Sequence, residues 1–431
     1  FAAVKRHAEA IQFVKEQYPQ LCFKAVSRNG MTLEFIENQT PHICMAAVKQ
    51  NPSSLQYVKD QTEKICIMAV VENGFALKHV KKLTETICIA AVSDVGNVIE
   101  IVKEQTRLVC LAAVKRDGLS LKHIKEQTEE ICLAAVKQNG MALQWVKEKT
   151  QQICLAALKQ DGFALEFIEE QTPKLCFTAI KQNVDSLELV KEQTPKLCMI
   201  AVKKHGHVLE YIDEQTEELC LAAVKNNPRA IQFVKEQTEE MCLIAVKRYG
   251  MGLEHVKEQT HKICLTAVKH RGNALQFVEE QTHEICLAAV KQTGDALEWV
   301  KEQTPEMCMI AVNDHHLGGA ALKFVKEQTD AICYAAVTKC GYLLKEVKNQ
   351  TYEICLAAFE TGGGWLLQFV EEQTHEICLA AVNINGEALT LVENQTEEIC
   401  LAAVKEDPYV LFYVKEQTPE ICLAAVEEEG D

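Results

Sequence analysis

The chain has 431 residues, 48% of them apolar, with 45 Lys and Arg against 61 Asp and Glu and a formal net charge of -16. The acidic balance opposes nonspecific attachment to nucleic acid or anionic lipid, both of which need basic surface, and the apolar content excludes a disordered polyelectrolyte. No run approaches the roughly 18 apolar residues of a membrane span, and no basic-then-apolar leader opens the chain.

From the start, the chain is organised by its 20 cysteines. They recur every 22 residues from Cys22 through Cys44 and Cys66 to Cys308, and continue at Cys333, Cys355, Cys378, Cys400 and Cys422, with Cys340 as the extra one. Two insertions interrupt the spacing, one of three residues within 315–322 and one of a single residue within 361–365. A fixed period of this length is the signature of a repeat array in which each unit buries its apolar faces only by stacking on its neighbours. The expected fold is an all-α solenoid, right- or left-handed, of about 19.5 helix-turn-helix repeats of 22 residues. It is expected to run as one continuous domain over 1–431, with irregularities at 313–320 and 361–365. Phe1 aligns with Phe23 and Leu133, so the chain is expected to open inside a helix. It closes on EEEGD inside a unit. Neither end carries a polar capping repeat, which suggests an excerpt of a longer protein or a meeting with another copy end to end.

A representative unit runs TEEICLAAVKQNGMALQWVKEKT, from Thr128 to Thr150. Thr128 occupies a helix N-cap position. Sibling repeats place Pro41, Pro173, Pro195, Pro305 or Pro419 directly after it, at the first helical position. A first helix of about ten residues should end at Asn139-Gly140, a turn and C-cap pair. A shorter second helix should follow over MALQWVKE, its start marked in other repeats by Asn51-Pro52, Asn227-Pro228 and Asp407-Pro408. At helical spacing Ile131, Cys132, Leu133, Ala135 and Val136 form a wide apolar arc, while Ala142, Leu143 and Val146 form a narrower one. A leucine-rich repeat shares the 22-residue length, but it needs an LxxLxL strand with alternating burial. ICLAAV is instead a continuous Ala-rich run with Lys at its end.

LAAVKQNG followed by xAL, nearly intact at 133–143 and echoed in almost every unit, resembles the short helical repeats of unknown function found in amoeba-infecting giant viruses, some protists and bacteria. The EQT linker resembles the giant-virus versions in particular. The resemblance implies an all-helical array, with the cytoplasm of an infected host or a virion as its setting. It supplies no activity and no site residues.

The cysteine row is expected to be packing. Equivalent cysteines on stacked helices lie too far apart to bridge, and no CxxC pair or recurrent His suggests a metal. Buried thiols in such number imply a reducing, cytoplasmic compartment. Cys340, in a turn, is the thiol expected to label readily. The sequons at Asn38, Asn349 and Asn394 arise where Asn replaces the Glu of EQT. His79, His123 and His255 share a position with Phe35, Tyr57, Trp145, Phe233 and Trp299, where aromatic rings should seal the joint between repeats.

Lys115, Lys137, Lys159, Lys181, Lys203, Lys225, Lys247, Lys269 and Lys291 hold one position in nine successive repeats, which stacking should align into a stripe. Beside it runs a mostly small row in which Met68, Ile200, Ile244 and Ile310 stand out as apolar side chains expected to be exposed. The stripe and Ile200, Ile244 and Ile310 are the candidate partner-binding surface. The function expected is a non-enzymatic, elongated protein-interaction scaffold or structural repeat protein, without cofactor, metal or membrane, and with a protein or peptide partner. The alternative is single-stranded nucleic acid or another polyanion along the lysines, which the net charge opposes. An enzyme would need chemistry in the departures from the repeat, where Asp314, His315 and His316 are the titratable groups.

Overall fold

The computed structural model describes residues 2–314 and 320–428, so His315 and His316 lie outside the described residues. Among the described residues there is no strand. Each repeat holds one α-helix followed by one 3-10 helix, an all-α solenoid built from tandem units.

In the representative repeat the α-helix spans Glu129–Gln138, ten residues as the spacing predicts. The Thr128 hydroxyl accepts from the Ile131 N–H at 3.4 Å, satisfying one of the amides that a helix start leaves unpaired. Where Pro follows the Thr, as at Pro173 and Pro195, the helix begins on a residue that has no N–H to satisfy.

The helix end differs from expectation. Asn139 is the C-cap in an extended conformation (φ -146, ψ 113), and its side chain accepts from Met141 N–H at 3.0 Å to start the second helix. The glycine after it is not a left-handed cap. Among the described residues the one positive φ is at Gly363. Gly140 is required by proximity: a Cβ there would stand 2.7 Å from the Ala157 carbonyl oxygen of the next repeat.

The second helix is also shorter and tighter than the sequence predicts, a six-residue 3-10 helix over Gly140–Trp145 in place of an α-helix through Glu148. Asn139 O accepts from Ala142 N–H, and Leu143 O from Val146 N–H. Continued α-winding would commit the Lys147 N–H to Leu143 O, four residues back. Tight winding ends instead at extended Val146 and leaves the Lys147 amide to bond the neighbouring repeat, as described below.

Ile131, Cys132, Ala135 and Val136 are buried with Ala142, Leu143 and Val146. Burying a residue such as Leu143 contributes about 1.5–3 kcal/mol relative to exposure. Leu133, assigned to the apolar arc by its spacing, is half-buried instead, because it faces the groove between successive α-helices.

The chain divides into two units, Phe1–Asp213 and Glu214–Asp431. Within the first, the α-helix Glu129–Gln138 packs on Gln151–Gln160 and the 3-10 helix Gly140–Trp145 on Gly162–Phe167. Within the second, Glu239–Arg248 packs on His261–His270 and Gly250–His255 on Gly272–Phe277.

Both expected irregularities involve local changes in helix length. The three-residue insertion follows an α-helix cut to eight residues, Pro305–Val312. The single-residue insertion lengthens Tyr352–Gly362 to eleven residues and is closed by Gly363 at φ 92, a conformation that only glycine adopts without strain.

Two glycine substitutions separate proximity from conformational freedom. Gly140→Ala drives a Cβ onto backbone and should destabilise by about 1–3 kcal/mol. At Gly252, where siblings carry Ala, a Cβ meets no backbone, only side-chain carbons of Tyr249 at 3.3 Å and Ile231 at 4.0 Å. Gly252→Ala should therefore stabilise by about 0.5–1 kcal/mol, and urea unfolding of both variants measures the difference.

Candidate functional site

The joint between repeats is organised by a residue that sequence reasoning passed over, the Gln of EQT. Gln237 Nε2 donates to Ile231 O in its own repeat at 3.1 Å and to His255 O in the next at 2.7 Å. Its Oε1 accepts from Lys257 N–H at 2.9 Å and lies 3.6 Å from the Cys242 thiol, which donates to it. One amide thus uses both its donor and acceptor sides on backbone of two repeats. The same pattern ties Gln39 to Tyr57 O and Lys59 N–H, Gln127 to Trp145 O and Lys147 N–H, and Gln281 to Trp299 O and Lys301 N–H. The signal for it was present in the sequence as a Gln repeating at the cysteine period.

A second clamp lies at the other end of the 3-10 helix. Gln138 Oε1 accepts from Gly118 N–H of the preceding repeat at 2.6 Å, and Gln182 from Gly162 N–H at 2.7 Å. Asp94 and Asp314 keep the acceptor toward Gly74 and Gly294. Asp314, one of the titratable groups at the insertion, thus makes a structural bond. The Lys of VKEQT adds a third tie: the ammonium groups of Lys59, Lys147, Lys191 and Lys301 donate to carbonyls of the preceding linker at 2.8–3.0 Å.

The cysteines therefore combine small apolar volume with a thiol donor. Those of the row are buried except Cys422, which like Cys340 is half-buried, and all are free. Burial pushes the thiols of Cys44, Cys132 and Cys242 up, and that of Cys355 to about 11. At the aromatic position Phe35, Tyr57 and Phe233 are half-buried, while Trp145 and Trp299 are exposed. There the backbone carbonyl, more than the ring, makes the joint.

The proposed stripe lies on the α-helices. In the first unit Lys115, Lys137, Lys159, Lys181 and Lys203 are exposed in the last helical turn, and so are Lys225, Lys247, Lys269 and Lys291 in the second. Each thereby complements the negative helix end. Ile200, Ile244 and Ile310 share this face but are half-buried, where spacing had placed them as exposed. Between helices Glu129–Gln138 and Gln151–Gln160 the face opens into a groove of about 650 Å³, floored by Leu133, Leu155 and Ala156 and flanked by Lys137 and Lys159. The corresponding groove between His375–Ile384 and Glu397–Glu406, about 630 Å³, carries Asn383, Glu397 and Glu398 beside Lys405. Its sign is mixed. Ion pairs at the opposite end of the helices, Arg107 with Glu130 at 2.7 Å and Lys262 with Glu239 at 3.8 Å, are exposed and contribute little.

Among the described residues no group of three or more His, Cys, Asp or Glu could hold a metal, and no helix is long and apolar enough to cross a membrane. Five stretches of the chain match the family model described as a domain of unknown function (DUF4116): residues 18–61, 106–151, 128–173, 194–237 and 216–260. Each spans about two periods. The matches agree with the expected kinship to repeats of unknown function. No curated protein matches the chain.

Replacing the amide should matter more than its size suggests. Gln237→Ala leaves Lys257 N–H and His255 O unpaired at a half-closed joint and should cost about 2–3 kcal/mol. Gln237→Glu keeps the shape but faces a carboxylate toward carbonyl oxygens, and should cost at least as much. Chemical denaturation, followed with local probes because arrays depart from two-state behaviour, checks the order. In native conditions a thiol reagent should modify Cys340 and Cys422 first. The remaining cysteines should react only on unfolding, as read by mass spectrometry of the labelled peptides.

Proposed function

We propose that the chain is a non-enzymatic interaction scaffold whose α-helical face takes an acidic peptide along the lysine stripe. Repetition supports a scaffold, since it multiplies one surface. The observation that carries the reading is the groove between Glu129–Gln138 and Gln151–Gln160, where an apolar floor of Leu133, Leu155 and Ala156 lies between the ammonium groups of Lys137 and Lys159. Such a groove suits a segment that alternates aliphatic and acidic side chains. Lys115, Lys181 and Lys203 extend the same row in the first unit. In the second, Lys225, Lys247, Lys269 and Lys291 form the row, with the half-buried Ile244 on the helix of Lys247. The linker lysines Lys59, Lys147, Lys191 and Lys301 donate to carbonyls, while Lys137 and Lys159 of the stripe stand in exposed last turns, within reach of an approaching carboxylate. Rows of buried free thiols support a reducing compartment for this activity.

A fluorescent peptide of alternating Glu and Leu tests the proposal. Binding should weaken as salt rises, because the contacts are between exposed charges, and Lys137→Glu with Lys159→Glu should reduce affinity at least about tenfold. Unchanged affinity in the double variant overturns the stripe as the site. Preference for a single-stranded oligonucleotide over the peptide at low salt would favour the polyanion reading instead.

A further inference from the structure

One joint lacks its clamp. At position 83 the linker reads KLT and Leu83 replaces the glutamine. In the joint before it, Gln61 donates to Leu55 O and His79 O at 2.9 Å each, accepts from Lys81 N–H at 2.8 Å, and lies 3.9 Å from the Cys66 thiol. The equivalent groups around Leu83 are Leu77 O, Ile101 O, Lys103 N–H and the Cys88 thiol. Among the described residues no side chain makes these four bonds, whereas Thr84 still caps its helix through Ile87 N–H and the repeat frame is intact. Where the amide is missing there is a cavity of about 620 Å³, lined by Leu77, Val80, Leu83, Cys88, Ile101 and Lys103 among others. It is open to solvent, with Leu83 39% and Ile101 45% exposed.

The geometry points to a binding site for a primary carboxamide, which we assign to a glutamine side chain presented by a partner polypeptide. The incoming carboxamide oxygen accepts from Lys103 N–H and the Cys88 thiol, and its NH2 donates to Ile101 O and Leu77 O. The two methylenes of the glutamine stem lie against Val80 and Leu83. The occupant is argued from the sibling joints, where the same arrangement of backbone groups closes on a carboxamide. A carboxylate lacks the NH2 donors and would face carbonyl oxygens, and an alkyl chain would leave Ile101 O, Lys103 N–H and the Cys88 thiol unpaired, Leu77 O alone already accepting from Val80 N–H. The joint at Lys149 also lacks glutamine, but there the substitute is a cation lining a smaller cavity of about 460 Å³, so the carboxamide preference belongs to the Leu83 joint. The site shares no residue with the lysine stripe, so each stands or falls alone.

The test uses the full chain labelled with 15N-lysine, with the Lys103 amide assigned by its loss in Lys103→Arg. Titration with N-acetylglutamine amide should shift the Lys103 N–H saturably, with a dissociation constant on the order of 10 mM for so small a ligand. N-acetylglutamate amide and N-acetylnorleucine amide should bind at least about tenfold more weakly. Leu83→Gln, which restores the residue of the sibling joints, should abolish the shift and raise the unfolding midpoint. Absence of a saturable Lys103 shift up to about 100 mM, tenfold above that constant, overturns the proposal. So does an equal response to the norleucine amide, or a response unchanged in Leu83→Gln.

Discussion

The structure depends on a carboxamide that bonds backbone on both sides of a joint. The atoms of Gln237 reach a carbonyl of their own repeat, a carbonyl and an N–H of the next, and a cysteine thiol. Several features follow from that demand. The second helix winds as a 3-10 helix and stops early so that the amide two residues beyond its end stays available. The α-helix starts on Thr immediately after the Gln, which fixes the approach of the linker. The cysteine must be small enough for close packing and still carry a donor, which Ala lacks.

Apolar burial and polar clamping divide the work. Ile, Ala, Val and Leu fill the space between layers and supply most of the favourable free energy, but such contacts tolerate sliding. Hydrogen bonds at both ends of the 3-10 helix define the register from one repeat to the next. At the Gly end the helix comes so near the neighbouring Ala carbonyl that a methyl group has no room. In a one-dimensional array stability is roughly a sum over units and joints, so a weak joint such as that at Leu83 changes local cohesion without removing the fold.

Much of this was legible in the sequence. The period, the α-helix limits, the Thr caps and the burial of the cysteines followed from spacing and propensity. The second helix was misread because Ala142, Leu143 and Val146 fit an α-helical face as well as a tight turn followed by an extended residue; apolar spacing over so few residues does not separate them. Gly140 was misread because its reason lies in the next repeat, not in its own dihedral angles. Leu133 and Ile200 were misplaced by a fraction of a helical face, since spacing gives direction but not how closely the neighbouring helix approaches. Gln was overlooked because a polar linker residue looks like solvent-exposed filler, although its recurrence at the cysteine period, broken at Leu83 and Lys149, was itself a sign of a fixed partner.

The clamp recognises carbonyl oxygens and amide hydrogens, which every residue but proline presents alike. A joint built this way does not distinguish one neighbour from another: Gln127 meets Trp145, Gln237 meets His255 and Gln39 meets Tyr57 with the same bonds. Units are therefore interchangeable parts. Loss or duplication of 22 residues by recombination between similar repeats would leave every remaining interface able to close. Length is thus free to drift in such genes while the surface side chains diverge independently, one repeat at a time.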